Sequence, residues 1–395
     1  MAIARADRGA ACAARLLERN RVCEEFFARE AIRLAKLSQA MAERFLAGGR
    51  LLAFGRGPYS TDAQHVSVEF VHPVIVGKRA LPALDLSPLY GPWLRAIVHP
   101  EDIVMGFGPP DGDTEISAAL GAAQASGALT VALPGVRGDY FCAPPSPDPF
   151  VHQEVVEILY HTLWETVHVF LERREMGLDS GEASFLYPYL GQQQQDAAEI
   201  IPEVAASIRM KADDDARLRT QLAEFGSQAI WEASAAIAGR LARGGKLILF
   251  GNGGSATDAN DWAFDCVLPP AGLHALPAVS LAMEPANITA VANDVGTELI
   301  FLRQLIAQAR PEDVAIAIST SGGSRNLIVA LEEARKRKLL TVALLGYDGG
   351  EIRRRGLAEH ALVVPCDYIP RIQEVQASIY HLIRENLEWI IHGNA

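Results

Sequence analysis

The chain has 395 residues, a formal net charge of −12 and a pI near 5.4. This acidic balance argues against a general nucleic-acid binder, which needs a basic face. Hydrophobic residues make up 49% and charged residues 21%, so the chain can bury two cores and is not predicted to be disordered.

Five cysteines without a C-x-x-C pair indicate a reduced, cytoplasmic protein. The N-terminus lacks the apolar centre of a signal peptide, and no uncharged apolar run reaches the roughly 18 residues of a membrane span.

Two Gly-rich segments of the chain resemble each other. Residues 46–64 and 241–260 both contain a helix end, a Gly-Gly turn, an apolar strand, a Gly-rich loop and the start of a helix. Three positions match at one offset of 196 residues: Gly49 with Gly245, Gly55 with Gly251, and Asp62 with Asp258. Later segments keep the same order at larger offsets: 103–107 with 314–318, 129–133 with 340–344, and 153–161 with 373–381. The order predicts a tandem duplication with insertions in loops.

Each half alternates short apolar strands with helical stretches. Strands that are apolar throughout, such as LLAF at 51–54 and LILF at 247–250, are typical of a parallel sheet covered on both faces. The alternation predicts an α/β fold of two tandem doubly wound, flavodoxin-like domains with central parallel sheets flanked by helices. The predicted boundaries are 1–172 for domain 1, 173–205 for a linker or inserted arm, and 206–395 for domain 2. The aromatic patch Phe185–Tyr189 in the arm either docks on a domain or partner or pins a surface loop.

The second half has two Gly/Ser loops, each directly between a strand and a helix. They are Gly251–Ser255 (GNGGS) and Ser319–Ser324 (STSGGS). Glycines let the backbone approach an anion, while hydroxyls and the free N–H groups of a helix start donate to it. One such loop is weak evidence, because many strand–helix turns are Gly-rich for steric reasons. Two such loops at corresponding positions predict a phosphate site at the carboxyl ends of the strands. The candidate phosphate ligands are Gly253, Ser255, Ser319, Thr320, Ser321 and Ser324.

Neither loop is a nucleotide-binding motif. The chain has no GxxxxGK[ST] sequence, and neither loop precedes a ribose-binding acid in a clear GxGxxG context. A phosphorylated small molecule is therefore a better candidate ligand than a dinucleotide, and no nucleotide cofactor is predicted.

The order and spacing of these motifs resemble the phosphoheptose isomerases of the sugar isomerase (SIS) superfamily. The motifs are GNGGS-x-x-D at 251–258, an Asn-Asp pair ending at Asp294, ISTSG-x-S at 318–324, and RIQE at 371–374 followed by His381. The resemblance covers nearly all of 215–390 and is weaker but ordered over 30–172. It implies SIS-type domains that interconvert sedoheptulose 7-phosphate and an aldoheptose 7-phosphate, with Asn252 and Asp294 contacting sugar hydroxyls. It also implies a homo-oligomer, in which two tandem chains form a dimer equivalent to four units.

The same resemblance implies a zinc site and a pair of proton-transfer groups in the first half. In the family, one helix carries a His and a Glu four residues later, and another carries a Gln and a His eight residues later. The matching residues are His65, Glu69, Gln153 and His161. The implied base is Glu69 and the implied acid is His161. Taken singly, His65 and Glu69 are also consistent with an exposed i,i+4 pair, and His161 with a core histidine.

The two halves depart from the family pattern in opposite ways. In the first half, Tyr59 replaces the serine of the first loop, and the second loop, 106–111, has no hydroxyl, with Arg56 as a candidate compensating charge. In the second half, aspartates replace the family's His and Glu and give a second candidate metal set: Asp261, Asp265, Gln373 and His381. This second set is equally consistent with a carboxylate-rich metal site and with a solvated acidic face.

The first half thus keeps the acid–base set, and the second half keeps the phosphate loops. One hypothesis is a site at the interface of the halves that draws on both, and the alternative is two independent units, one or both degenerate. The predicted function is aldose–ketose isomerisation of a sugar phosphate by proton transfer through an enediol. Two alternatives stay open: a non-catalytic phosphosugar sensor or assembly protein, and isomerisation of another substrate such as an amino-sugar or ketohexose phosphate.

Overall fold

The computed structural model describes residues 2–73, 78–175 and 197–393, which contain two five-stranded parallel sheets. The strands of the first sheet are β1 (Leu51–Gly55), β2 (Ala83–Asp85), β3 (Ile103–Phe107), β4 (Leu129–Leu133) and β5 (Tyr140–Phe141). Those of the second sheet are β6 (Leu247–Gly251), β7 (Ala278–Ser280), β8 (Val314–Ser319), β9 (Leu340–Leu345) and β10 (His360–Val363). The two sheets have equivalent strand orders, β2-β1-β3-β4-β5 and β7-β6-β8-β9-β10. The predicted fold of two doubly wound α/β domains is confirmed.

Helices cover both faces of each sheet. In the first half they are α1 (Ala2–Leu46), α2 (Ser60–Val71), α3 (Tyr90–Ile97), α4 (Thr114–Ala125) and α5 (Pro149–Glu175). In the second half they are α6 (Ala197–Phe225), α7 (Ser227–Leu241), α8 (Gly254–Val267), α9 (Pro285–Asp294), α10 (Ile300–Gln308), α11 (Arg325–Lys336), α12 (Gly350–Arg354) and α13 (Ile369–His392). Within the described ranges, none of the helices combines the length and the apolar character that a bilayer crossing requires.

The central strands are buried along their whole length, as their apolar sequences predict. Side chains alternate between the faces of a sheet, so Leu51 and Ala53 pack into one core cluster while Leu52 and Phe54 pack into another. Helices α3 and α4 cover the second of these faces, and α1, α2 and α5 cover the first. A strand covered on both faces has no side on which polar residues are favoured, which explains the uniformly apolar runs.

Two long helices belong to both halves of the molecule. Helix α1 contributes Phe26 to the core of the first sheet and Leu16 to that of the second. Helix α6 contributes Ile208 to the first core and Leu218 to the second. The halves are therefore joined by shared packing as well as by the chain itself.

The predicted linker, 173–205, is helical at both of its described ends. Helix α5 continues to Glu175, and α6 begins at Ala197 and runs through the predicted boundary at 206 without a break. The aromatic patch Phe185–Tyr189 lies outside the described residues. Burial of Ile200 in the first core gives the start of α6 a packing role that its polar surroundings in the sequence do not indicate.

Glycines allow the first strand of each sheet to turn directly into a helix. A Cβ atom on Gly251 would lie 2.2 Å from the carbonyl oxygen of Ser255, and one on Gly55 would lie 2.0 Å from that of Tyr59. Only glycine permits so close an approach. These turns start α8 and α2 at the carboxyl ends of β6 and β1, and the two helices pack against each other between the sheets.

Candidate active site

Four helices, α2 and α5 from the first half and α8 and α13 from the second, bring buried polar side chains together between the sheets. On one side, His65 Nε2 lies 3.3 Å from His161 Nε2 and 3.3 Å from Gln373 Nε2. Glu69 Oε1 lies 3.9 Å from the same His65 nitrogen. All four side chains are buried. We call this group the histidine site: His65, Glu69, His161 and Gln373.

The histidine site contains a glutamine from the other half, which corrects the predicted metal set. Gln153 was expected beside His65, but its Nε2 donates to Asp261 Oδ1 at 2.8 Å. The physical reason is the rise of an α-helix: eight residues span about 12 Å along the axis, so Gln153 and His161 cannot both reach one small site. Gln373 occupies the position next to His65 instead. His381, eight residues after Gln373 on the same helix, lies beside Asp265 and away from His65.

A second polar group surrounds the two aspartates of α8. His381 Nε2 lies 3.2 Å from Asp265 Oδ2 and 3.6 Å from Asp261 Oδ2. Asp261 also accepts hydrogen bonds from Thr61 Oγ1 at 2.7 Å and from the Tyr380 hydroxyl at 2.8 Å. Asp261 is 3% exposed and Asp265 is 2% exposed, so the interpretation as a solvated acidic face is wrong. We call this group the aspartate site: Gln153, Asp261, Asp265 and His381.

Buried carboxylates orient both imidazoles of the histidine site. His65 Nδ1 lies 3.4 Å from Asp258 Oδ1, and His161 Nδ1 lies 2.9 Å from Glu374 Oε1. If each Nδ1–H donates to its carboxylate, the two Nε2 atoms face each other with at least one lone pair between them. Metal-binding histidines commonly have this arrangement, in which the other ring nitrogen donates to a carboxylate.

The histidine site fits a small divalent cation. Two nitrogens bound to tetrahedral zinc at about 2.0–2.1 Å lie roughly 3.3 Å apart, and the two Nε2 atoms have that separation, 3.3 Å. Glu157 offers a carboxylate whose ligand atom lies within 4.8 Å of those of His65 and His161, and its Oε1 has no hydrogen-bond partner. Gln373 Oε1 is likewise buried without a partner.

Glu157 was missed by the sequence analysis, although its position gave a signal. It lies four residues after Gln153 and four before His161, on the same face of α5. The family motif includes Gln153 and His161 but not the residue midway between them. Burial raises the pKa of Glu157 well above its ordinary value.

Glu69 has the properties of a general base near neutral pH. Both of its carboxylate oxygens are buried, and within the described ranges no group forms a hydrogen bond with either of them. Burial raises its pKa to about 7, against a smaller opposing effect of His65. Burial and the neighbouring His65 lower the pKa of His161 well below its ordinary value, so His161 is neutral at pH 7. Burial alone would lower the pKa of His65, but Asp258 outweighs it and raises that pKa.

The first phosphate loop of the second half lies against the histidine site. A Cβ atom on Gly254 would lie 2.6 Å from His65 Nε2 and 2.0 Å from Gln373 Nε2, so the backbone of the loop lies directly against these side chains. Gly253 precedes it with φ +56°, and Ser255 is buried in the first turn of α8. The intact phosphate loop of one half and the intact His–Glu pair of the other are therefore neighbours, as the shared-site hypothesis requires.

The second phosphate loop is held next to the first. Ser319 Oγ accepts from the Gly322 N–H at 3.0 Å, and its carbonyl accepts from Gln376 Nε2 at 3.2 Å. Asn252 and Asn326 exchange two side-chain hydrogen bonds of 3.0 and 2.8 Å, which join the loops directly. Neither Gln376 nor Asn326 belongs to a motif that is recognisable in the sequence.

The remaining candidate phosphate ligands lie on this second loop. The carbonyl of Thr320 accepts from the Gly346 N–H at 2.9 Å, which fixes the loop to the end of β9. Ser321 Oγ accepts from the Gly323 N–H at 3.3 Å, and Ser324 is the N-cap residue of α11. The free N–H groups at the start of α11 thus adjoin the loop hydroxyls, as an anion site requires.

Two residues that the sequence singles out contact neighbours away from these loops, and the predicted contact of Asp294 with a sugar hydroxyl stays a prediction. Asp294 is exposed at the end of α9, where it accepts from Asn293 at 2.9 Å, and among the described residues no contact joins it to either loop. Arg56 pairs with Asp113 at 2.8 Å and with Glu115 at 3.4 Å. Its charge is therefore engaged and does not compensate for the missing hydroxyls of the first half.

The comparisons with known proteins agree on one family. A SIS domain family model matches residues 212–346. The phosphoheptose isomerase of Geobacter sp. (strain M21) is 40% identical over 190 residues, which are 48% of this chain and 96% of that protein. The phosphoheptose isomerase of a Nitratiruptor species is 45% identical over 139 residues, or 35% of this chain and 73% of that protein.

Several solved structures match almost the whole chain. The C-terminal domain of glucosamine-fructose-6-phosphate aminotransferase from Francisella tularensis aligns with 96% of this chain and 96% of its own, with a TM-score of 0.58 and 11% identity. At that identity the match concerns the fold alone. It shows that the arrangement of both sheets in one chain occurs in a second protein.

Proposed function

The chain is a SIS domain protein related to the phosphoheptose isomerases, and from this premise we propose that it isomerises a sugar phosphate between aldose and ketose forms at the histidine site. The single observation that carries the proposal is the close approach of Gly254 to His65 and Gln373. This contact supports one site that combines acid–base groups of the first half with phosphate ligands of the second. Sedoheptulose 7-phosphate is the substrate that the resemblance favours.

Glu69 is the proposed base. An aldose–ketose conversion removes a proton from one of two adjacent carbons and returns it to the other through an enediol, while the oxygens exchange a proton. A buried carboxylate with a pKa of about 7 is basic enough to take a carbon-bound proton and still ionised in a large fraction of molecules near neutral pH. The absence of hydrogen-bond partners for its two oxygens leaves both free for substrate.

His161 has the proposed role of the acid, and its neutral state refines that role. A lowered pKa favours the neutral imidazole, and with Nδ1–H donating to Glu374 the Nε2 atom has only a lone pair. In the metal-free site, Nε2 therefore accepts the proton of one substrate hydroxyl and returns it to the neighbouring oxygen, which is the proton that His161 gives as an acid. Glu374 accepts from its Nδ1 and fixes the ring. The carboxylate of Asp258 raises the pKa of the neighbouring His65 against the effect of burial, and the raised pKa favours its charged form.

The proposed phosphate ligands are the two loops of the second half. Ser255, Ser319, Ser321 and Ser324, with the amide groups at the starts of α8 and α11, offer donors and no competing charge. Binding the phosphate positions the reacting carbons near Glu69, and such positioning supplies a large part of a catalytic rate.

We further propose that zinc binds the histidine site. His65, His161, Gln373 and one of the two carboxylates Glu157 and Glu69 would hold the ion, which when bound would stabilise negative charge on the substrate oxygens. If Glu157 is the ligand, Glu69 keeps both oxygens for proton transfer. The predicted homodimer and cytoplasmic location stay predictions.

The test is turnover of sedoheptulose 7-phosphate by the full chain, with and without added zinc. We expect product to accumulate, and we expect the double variant Ser319→Ala/Ser321→Ala to raise KM while zinc binding is retained. A chain that binds the sugar phosphate but never converts it would instead establish the non-catalytic sensor. Conversion of an amino-sugar or ketohexose phosphate in preference would replace the substrate and keep the site.

A further inference from the structure

The carboxylate of Glu157 lies beside the two imidazoles of the histidine site. His65, Glu157 and His161 each offer one ligand atom, and these three atoms all lie within 4.8 Å of one another. Glu69 comes to 3.9 Å from His65 Nε2, but within the described ranges it belongs to no group of three ligand atoms at this mutual distance. The geometry therefore joins Glu157, and not Glu69, to both imidazoles.

Helical spacing places Glu157 at this site. It precedes His161 by four residues on α5, so the two side chains share one face of that helix. His65 comes from α2, which packs against α5. The corresponding position on α13, four residues before His381, is Ala377. The aspartate site therefore has no counterpart of Glu157, and this carboxylate distinguishes the histidine site from it.

The Glu157 side chain is buried without a partner. The residue is 3% exposed, and within the part of the chain that the structure describes its Oε1 forms no hydrogen bond and its carboxylate joins no salt bridge. Buried carboxylates in native proteins are usually hydrogen-bonded, paired with a cation or bound to a metal. An unpartnered carboxylate oxygen beside two imidazoles thus indicates a missing cation.

The charges around Glu157 also favour a cation. Together with His65, Asp62, Asp258 and Asp261, it lines a cavity of about 10 Å³, which is about the space of one water molecule. The described lining contains no Lys or Arg, so one imidazole faces four carboxylates. A divalent ion held by Glu157 and His65 would offset part of this negative charge.

One carboxylate cannot be both a metal ligand and a general base at the same time. A carboxylate that binds a metal must be ionised and directs a lone pair to the ion, which lowers its affinity for a proton. Glu69, with two oxygens that form no hydrogen bond to the described residues, has the properties of the base. A second carboxylate at the same site allows the two roles to belong to different residues.

We propose that Glu157 is the carboxylate ligand of the zinc ion at the histidine site and that Glu69 is not a ligand. The proposal rests on the zinc site proposed above, and it separates the residue that holds the metal from the residue that moves the proton. His65, His161 and Glu157 supply two nitrogens and one carboxylate oxygen, a set of ligands that catalytic zinc sites use. Glu157 lies outside the family motif, so this ligand is a feature of this chain.

The experiment compares Glu157→Gln with the matched variant Glu69→Gln in the full chain. Competition with a chromogenic chelator measures zinc affinity, and visible absorption of bound Co²⁺ reports the ligands. Because loss of an outer-shell partner already costs about 10- to 100-fold in metal affinity, loss of the ligand itself in Glu157→Gln should weaken zinc binding by at least about 100-fold. Glu69→Gln should keep both the zinc affinity and the Co²⁺ absorption close to those of wild type.

Thermal unfolding of the metal-free chain is the control for folding. Glu157→Gln keeps the size of the side chain and removes an unpartnered buried carboxylate, so the metal-free variant should unfold at or above the wild-type temperature. A loss of zinc affinity in a variant of unchanged metal-free stability then reports the loss of a ligand and not a disturbed fold.

Three outcomes would overturn the proposal: a wild-type chain that does not bind zinc, a Glu157→Gln variant that binds it as tightly as wild type, or equal losses of affinity in the two variants. None of these outcomes depends on turnover. Zinc binding through Glu157 without conversion of a sugar phosphate would leave this proposal intact and contradict the isomerase function, whereas turnover in a chain that binds no zinc would do the reverse.

Discussion

The histidine site and the aspartate site occupy equivalent places in the two halves, and they differ in the adjoining loop and in the length of the acid. The histidine site adjoins a Gly/Ser loop and has a free Glu carboxylate, whereas the aspartate site adjoins a Pro/Tyr loop and has a shorter acid. Each site takes its glutamine from the opposite half.

Each site also adjoins the first loop of the opposite half, which relates the two opposite departures from the family pattern. A loop lost from the first half and a His–Glu pair lost from the second both affect the aspartate site, because that site is built from these two parts. The histidine site is built from what each half retained. One complete site in each chain accounts for both departures, which have no common explanation when each half is considered alone.

Glu69→Gln should have the largest effect on the histidine site. Removal of a general base typically costs about 10²- to 10⁴-fold in rate, and we expect kcat to fall by that factor with little change in KM. The matched control is Asp265→Asn, the equivalent position in the aspartate site, which should leave isomerase turnover close to the wild-type value. Steady-state kinetics on both variants, with circular dichroism to establish folding, measure the difference.

Equal losses of turnover in these two variants would mean that the sites are not functionally distinct. Retained turnover in Glu69→Gln, with loss in Asp265→Asn, would move the chemistry to the aspartate site. Either result would contradict the assignment of the base.

The glutamines offer a second comparison, with a smaller effect. Gln373→Ala removes a side chain that contacts His65, whereas Gln153→Ala removes one that contacts Asp261. We expect the first change to weaken zinc binding about 10- to 100-fold and to lower activity, and the second to leave both nearly unchanged. Competition with a chromogenic chelator measures the zinc affinity directly, without reliance on turnover. Weaker zinc binding in Gln153→Ala would restore the set that the sequence analysis predicted.

The sequence was sufficient for the fold and for the helix-local part of the site. His65 and Glu69, four residues apart, share one face of α2, and the apolar runs identify the central strands. These are short-range patterns, in which the spacing along the chain fixes the geometry. Glu157 obeys the same rule and was missed because the family motif does not include it.

The sequence was not sufficient where a contact joins different elements. Whether Gln153 or Gln373 lies beside His65 depends on how α5 and α13 pack against each other. The spacing of residues within one helix does not determine this packing. Asp294 lies exposed at the end of α9, and its predicted contact with a sugar hydroxyl stays a prediction. Helix α6 packs in both cores. Its start was predicted as part of a linker because the segment before it is polar.

The pH dependence of the histidine site should follow Glu69. Because its pKa is raised to about 7, the active carboxylate form is lost as the pH falls, and kcat/KM should decrease about tenfold per pH unit below 7. The folded state favours the protonated form, so this residue's contribution to stability is largest below its ordinary pKa of 4.5 and is lost as the pH rises towards 7. Glu69→Gln should remove this pH-dependent loss of stability, which thermal unfolding measures independently of activity. An unchanged pH profile of stability in the variant would mean that Glu69 titrates normally.

The smallest predicted effect concerns the pair Asn252–Asn326, which joins the two phosphate loops of the histidine site. The equivalent loops of the first half, 55–59 and 106–111, contain no serine or threonine, so a change at the asparagine pair should affect sugar-phosphate binding at the histidine site alone. Loss of a neutral hydrogen bond corresponds to about a two- to tenfold change in an equilibrium, and we expect Asn326→Ala to raise KM by that factor while kcat stays within about twofold of wild type. Because both asparagines act through one contact, the double variant with Asn252→Ala should be less impaired than the product of the single effects. If the effects multiply, Asn252 contacts the substrate directly, as the resemblance implies, and the pair is not a clamp between the loops.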